Sequence, residues 1–195
     1  MKVIYHANCN DGFAAAHVFY QKYPLAEYIP ATYGQSPVVA YDEEIYIVDF
    51  SYKRHEILNL REVNKLVMVI DHHESAANEL VGLPHCVFDM NHSGAALSWM
   101  HLHPQVDPPD YVRYVEDRDL WKWQLPYSKE YNAALASIPM TFESWDQYLF
   151  DNDTSEIIKE GVPLLRYQKQ EIERQLSRPI GDIWFGETKI PCINT

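Results

Sequence analysis

Apolar and polar positions fall in blocks along the first half of this chain, and the blocks are those of an α/β protein. Residues 66–70 (Leu-Val-Met-Val-Ile) form an unbroken apolar run rich in β-branched types, the pattern of a strand buried on both faces of a parallel sheet. Shorter runs of the same kind are Val3, Ile4 and Tyr5, and Ile45, Tyr46, Ile47 and Val48. Residues 26–33 predict a further strand, which Pro30 assigns to an edge because proline cannot donate to a ladder. A short strand is expected over residues 85–89. Helical patterns span residues 13–23, ended by Pro24, residues 53–63, and the stretch opened by Ser93 and Gly94, where serine is a plausible N-cap. Beyond a turn-rich link at 104–109, helices are expected over 111–123, 132–138, 143–150 and 155–178, the last capped by Ser155 and stopped by Pro179. Residues 180–195 alternate like a strand entering another sheet. The fold class is therefore α/β: a doubly wound, mainly parallel sheet with helices on both faces, followed by a helical segment. Residues 1–150 form the α/β domain, 151–179 a long helix that can serve as a linker, and 180–195 a terminal strand segment. That segment either ends the fold or begins a second sheet.

Composition narrows the partners. A hydrophobic content of 47% with 13% aromatics is that of a packed globule. Three cysteines in 195 residues do not make a disulfide framework. No run approaches the ~18 consecutive apolar residues of a membrane span, and the opening apolar run is too short for a signal peptide. A soluble, cytoplasmic protein without a membrane partner is expected. The formal charge of −12 argues against long duplex nucleic acid, whose phosphates need Lys and Arg. It leaves room for a small phosphorylated substrate or a short oligonucleotide, received by bound cations that neutralise gathered carboxylates.

Chemistry-bearing residues stand where the apolar runs stop. The first strand runs into His6 and Asp11, the second such run ends in Asp49, and the run at 66–70 ends in Asp71, His72 and His73. In a doubly wound sheet, the carboxyl ends of the strands converge on one crevice. Imidazole with carboxylate suits Mn, Fe or Zn, and carboxylates also suit Mg. The chemistry implied is two-metal hydrolysis, in which cations activate water and stabilise an in-line displacement at phosphorus.

Four separated motifs over about residues 3–123 resemble, in order, those of the DHH phosphoesterase family. They are His6 through Asp11 and Gly12, similar to the family's His followed by Asp-x-Asp-Gly; Val48-Asp49; the triplet Asp71-His72-His73; and Glu116-Asp117-Arg118-Asp119-Leu120-Trp121, similar to the distal aspartate motif of the nano-RNase-like branch. The resemblance implies that His6, Asp11, Asp49, His72 and Asp119 bind metal, with Asp117 the alternative to Asp119. It implies that Asp49 bridges two ions, Mn²⁺ foremost, with Mg²⁺, Fe²⁺ or Zn²⁺ as alternatives. Asp71 would hold an imidazole of the triplet in its working tautomer, and His73 would bind or protonate the phosphate. Ser93 and Gly94, with His92 adjacent, would lie near the substrate.

The expected function is a divalent-metal-dependent phosphoesterase acting on short oligonucleotides or small nucleotide phosphodiesters. Hydrolysis of phosphomonoesters, pyrophosphate or polyphosphate is one alternative, and a non-catalytic metal- or nucleotide-binding module another. Cys9 stands where the family has the first Asp of Asp-x-Asp. Its thiolate either replaces the carboxylate, favouring Zn or Fe, or is a spectator, and the amide oxygen of Asn10 is a further candidate ligand. Trp121, Trp123 and Tyr127 can stack on a base or merely pack. Arg113 and Arg118 either reach a phosphate or form surface ion pairs. The helix from residue 155 offers a homodimer contact.

Overall fold

The first apolar run forms β1 (Lys2–His6), and the polar loop behind it opens α1 (Asn10–Lys22), as a βα unit requires. The computed structural model describes residues 1–177 and 181–192. After α1 come β2 (Glu27–Ala31), β3 (Glu44–Val48), α2 (Arg54–Val63), β4 (Leu66–Asp71), α3 (Glu74–Glu79), β5 (Cys86–Phe88) and α4 (Gly94–Leu102). The helical part is α5 (Asp110–Asp119), α6 (Ser128–Leu135), α7 (Phe142–Asp151) and α8 (Thr154–Leu176), followed by β6 (Gly181–Phe185) and β7 (Thr188–Cys192).

Among the described residues, five parallel strands form the central sheet in the order β2-β1-β3-β4-β5. Pro30 lies in the edge strand β2, opposite Tyr5, where its missing N–H costs nothing on the open side. Alternate residues of the inner strands feed two cores. Ile4, Ile45, Ile47, Val67 and Val69 pack with Ile57 and Leu60 of α2, whereas Val3, Val48 and Ile70 pack with residues of α1, α4 and α5. The sheet is therefore covered on both sides, which explains the continuous apolar runs. Successive strands are laid down outward from β1 in one direction and from β3 in the other. The order reverses between β1 and β3, where α/β sheets open a crevice at the strands' carboxyl ends.

Some boundaries differ from those expected. Helix α5 stops at Asp119, not at residue 123, because the next turn breaks into left-handed backbone at Trp121 (φ 55°) and Trp123 (φ 52°). The short α3 lacks a sequence signal of its own. Helix α8 is capped by Asp153, not Ser155: the Asp153 side chain accepts from Glu156 N while the Glu156 side chain accepts from Asp153 N, a reciprocal capping box. Its first turns belong to the α/β domain's core, with Ile157 buried and Gly161 so close to α6 that a Cβ there would stand 1.7 Å from the Glu130 carbonyl oxygen. The terminal segment is an antiparallel hairpin, β6 with β7, turning at Gly186 (φ 61°). The expected stop at Pro179, and Ile180 and residues 193–195 of that segment, lie outside the described residues. No described helix is long and apolar enough to cross a membrane.

Candidate metal centre

Every candidate ligand except Asp119, the last residue of α5, sits at the end of a strand or where the following helix begins. β1 ends in His6, and a bend through Asn8 (φ 55°) carries Cys9 to the N-cap of α1 and Asp11 into its first turn. Gly12 permits this, since a Cβ there would meet the His6 carbonyl oxygen at 2.4 Å. Behind β3, Asp49 adopts left-handed backbone (φ 52°), tied by its amide to the Ile70 carbonyl at 2.9 Å; Asp tolerates this conformation better than most residues. β4 ends in Asp71, leaving His72 and His73 in the turn before α3.

Asp11 and Asp49 are both buried but are treated oppositely. Asp11 accepts from Gly94 N at 2.6 Å and Ala95 N at 2.9 Å, so it occupies the N-terminus of α4, where the helix dipole favours an anion. Burial, with the charges of Asp49 and Asp119, still pushes its pKa well above the carboxylate range. Asp49 has no backbone donor. Its Oδ1 lies 3.2 Å from His72 Nε2 and its Oδ2 3.6 Å from His6 Nδ1, yet neither oxygen has a hydrogen-bond partner and both are buried. Burial pushes the Asp49 pKa up, but the flanking imidazoles outweigh it and hold the group at about 2. His72 Nε2 also approaches Asp119 Oδ2 at 3.4 Å and Asp11 Oδ2 at 3.7 Å. Burial lowers the His72 pKa, Asp49 and Asp119 raise it, and the net shift is upward. Burial and the neighbouring Asp49 charge also push the Asp119 pKa up, against the pull of His72.

These side chains form three groups whose ligand atoms lie within 4.8 Å of one another: His6, Cys9 and Asp49; Asp11, His72 and Asp119; and Asp49, Asp71, His72 and His73. A buried carboxylate without a donor is costly unless a cation completes it, so the orphaned Asp49 oxygens and His6 Nδ1 fit a metal. The mixed nitrogen, oxygen and sulfur donors suit a divalent transition ion.

Asp71 serves the triplet from beneath. It is fully buried, and Oδ1 takes His72 N (2.8 Å), His73 N (3.3 Å) and His73 Nδ1 (2.7 Å). With Nδ1 committed to Asp71, His73 presents Nε2. Asp71 is also the main cause of the raised His73 pKa.

Asp119, rather than Asp117, stands beside His72. Asp117 is buried and organises the loop after α5, accepting from Gln124 N (2.8 Å) and Leu125 N (3.4 Å). Ser93 and Gly94 adjoin the cluster but are buried: the Ser93 hydroxyl accepts from Ala96 N, and the amides of Gly94 and Ala95 are taken by Asp11. The N-terminus of α4 thus holds the Asp11 carboxylate. His92 belongs to a separate polar group with Glu116 (3.2 Å), which also pairs with Lys122. Arg113 pairs with Asp110 on the surface.

A cavity of about 470 Å³ opens on the cluster, lined by His6, Asn8, Cys9, Asn10, Asp11, Val115, Arg118, Asp119 and Trp121. Trp121 is 76% exposed, and its ring meets Trp123 edge-on at 5.1 Å. Trp123 and Tyr127 do not line this cavity. A larger cavity, about 610 Å³ beside Trp99, Tyr111 and Phe150, has none of the clustered ligands. Tyr33, which no sequence pattern marked, brings its ring to 5.4 Å from His6 and 6.5 Å from His73. Burial, then Asp71 and Asp49, push its pKa up to about 12. The Cys9 thiol is likewise pushed up to about 12, by burial first and then by Asp49.

No family model matches the chain. It is similar to "Uncharacterized protein R106" of Acanthamoeba polyphaga mimivirus, 28% identical over 187 residues that cover 86% of this chain and 44% of the relative. The chain thus spans less than half the length of that curated relative. The crystal structure of an uncharacterized protein from Helicobacter pylori G27 superimposes with a TM-score of 0.55 at 16% identity, over 87% of this chain and 63% of that one. That likeness is one of fold.

Proposed function

We propose that the chain is a divalent-metal-dependent phosphoesterase of the DHH type, acting in the cytoplasm on short oligonucleotides or small nucleotide phosphodiesters. One observation carries the reading: Asp49, 1% exposed, has two unpartnered oxygens between the imidazoles of His6 and His72. His6, Asp11, Asp49, His72 and Asp119 would hold the ions, Mn²⁺ foremost. Bound cations would supply Lewis acidity toward water and phosphoryl oxygens at neutral pH. His73, held through Nδ1 by Asp71, offers Nε2 to a phosphoryl oxygen and, with its raised pKa, donates a proton there. Arg118 on the cavity wall adds a fixed positive charge for a phosphate.

Hydrolysis of pyrophosphate, polyphosphate or a phosphomonoester uses the same cluster. The exposed Trp121 at the cavity favours a base-bearing substrate, because every nucleobase has a face on which an indole can stack. The test is release of mononucleotides from short oligoribonucleotides with Mn²⁺, beside a metal-free control and a pyrophosphate competitor. Metal-dependent release is expected, and Asp49→Asn should abolish it while the chain stays folded. Bound metal with cleavage of pyrophosphate alone would move the assignment to the anhydride substrates. Bound metal or nucleotide without any turnover would make the chain a binding module.

A further inference from the structure

The cluster is not chemically uniform. At one end, the ligand atoms of His6, Cys9 and Asp49 lie within 4.8 Å of one another; at the other, those of Asp11, His72 and Asp119 do. Asp49 turns one oxygen to each end, Oδ2 toward His6 Nδ1 (3.6 Å) and Oδ1 toward His72 Nε2 (3.2 Å). Both oxygens and His6 Nδ1 are buried without a hydrogen-bond partner, so the sulfur-bearing end contains orphaned donors independent of the cysteine. The Cys9 sulfur is free of any disulfide.

We propose that the two ends select different cations. His6, Cys9 and Asp49 form a nitrogen–sulfur–oxygen subsite that takes a borderline-soft ion such as Zn²⁺. Asp11, His72 and Asp119, with two carboxylates and one imidazole, form a harder subsite that takes Mn²⁺ or Mg²⁺. Thiolate with imidazole is a zinc-type donor set, and three protein ligands leave a fourth tetrahedral position open. Carboxylate oxygens serve manganese and magnesium. On binding, the Cys9 S–H bond breaks, its proton goes to solvent, and the sulfur lone pair goes to the ion. The proposal shares with the phosphoesterase reading only the presence of cations and does not require hydrolysis.

Cobalt(II) is the probe, because a thiolate ligand gives it a near-ultraviolet charge-transfer band that oxygen and nitrogen ligands do not. The 195-residue chain, stripped of metal and titrated with Co²⁺, is expected to show this band. Cys86→Ser should keep it and Cys9→Ser should lose it, with the circular dichroism of both variants unchanged. Incubated with Zn²⁺ and Mn²⁺ together, the wild type should retain one of each. Cys9→Asp should lower the ratio of bound Zn²⁺ to Mn²⁺ about tenfold or more, the equivalent of about 1.4 kcal/mol of selectivity. Cobalt bound without the band, a band surviving Cys9→Ser, or an unchanged metal ratio in Cys9→Asp would each overturn the proposal. Manganese-dependent hydrolysis without the band would overturn it and leave the phosphoesterase reading standing. The band without hydrolysis would do the reverse.

Discussion

Replacing Gly94 by alanine tests whether the close approach of α4 to the strand ends sets the geometry of the centre. A Cβ at this position would stand 2.5 Å from Asp49 Cβ and 2.9 Å from both its Cα and Cγ. Carbon atoms in ordinary contact are about 3.5–4.0 Å apart, so either Asp49 or the start of α4 must move by roughly 1 Å. Overpacking of this kind costs about 1–3 kcal/mol of stability. The functional loss should be larger than that cost suggests, because Asp49 stands between two imidazoles and Gly94 N also holds Asp11. A displacement of about 1 Å in a reacting constellation costs on the order of a hundredfold in turnover. Denaturant unfolding, Mn²⁺ content and oligoribonucleotide turnover would be measured on the same preparation. Ile57→Val, in the core on the opposite face of the sheet, serves as a control that loses about 0.5–1.5 kcal/mol and should keep its metal and its turnover. Gly94→Ala with wild-type metal content and turnover would refute the reasoning.

Asp117→Asn and Asp119→Asn should separate structure from ligation. The first weakens the acceptors of Gln124 N and Leu125 N and should cost about 1–3 kcal/mol with metal retained. The second should lose metal, yet the metal-free chain should melt no lower, since a carboxylate facing Asp11 and Asp49 has been removed; metal loss in Asp117→Asn alone would reverse the assignment. His73→Ala should keep its metal content and lose about 10²–10⁴-fold in turnover, the range for a general acid, whereas loss of metal would contradict the role given to it. His17 is fully buried between Tyr111 and Asp146, and burial lowers its pKa against the pull of Asp146. Its contribution to stability is therefore complete above the unfolded-state value of about 6.5 and is lost as pH falls below it. Melting temperature should fall less steeply with acidification in His17→Gln, and equal slopes would refute this.

Much of the site was legible because a strand buried on both faces announces its own end. The runs before His6, Asp49 and Asp71 are apolar without interruption, so the first ionisable residue after each marks a carboxyl terminus of the sheet. The strand order was not legible. That β1 and β3 are neighbours, and so that His6 faces Asp49, depends on crossovers whose direction no local pattern records. The choice between Asp117 and Asp119 was undecidable for a related reason: residues two apart point to different sides of a helix, and which side faces His72 is a tertiary fact. Ser93 and Gly94 did mark a helix start, but its occupant, Asp11, comes from far earlier in the chain. The terminal hairpin had a readable signal, Gly186 in a two-residue turn between alternating segments. Alternation alone does not register that turn, so residues 180–195 read as a single strand.

The acidity of the chain and its proposed anionic substrate meet at this division between Asp11 and Asp49. A formal charge of −12 repels phosphates at long range, so capture must act at short range, where the local balance differs from the global one. The fold compensates Asp11 with two amides of α4 and leaves Asp49 without a donor. The imidazoles of His6 and His72 favour the Asp49 carboxylate, yet neither completes a hydrogen bond to its oxygens, which leaves both open to a cation. Ions held there, as proposed, would give, with Arg118 on the wall of a cavity of about 470 Å³, a compact positive region in a chain of net negative charge. Such a region suits a small phosphate-bearing ligand that fits inside it. On the proposed function, a long strand would be repelled by the net charge of −12, so turnover should fall as oligonucleotide length rises, and equal turnover of long and short strands at low salt would refute this.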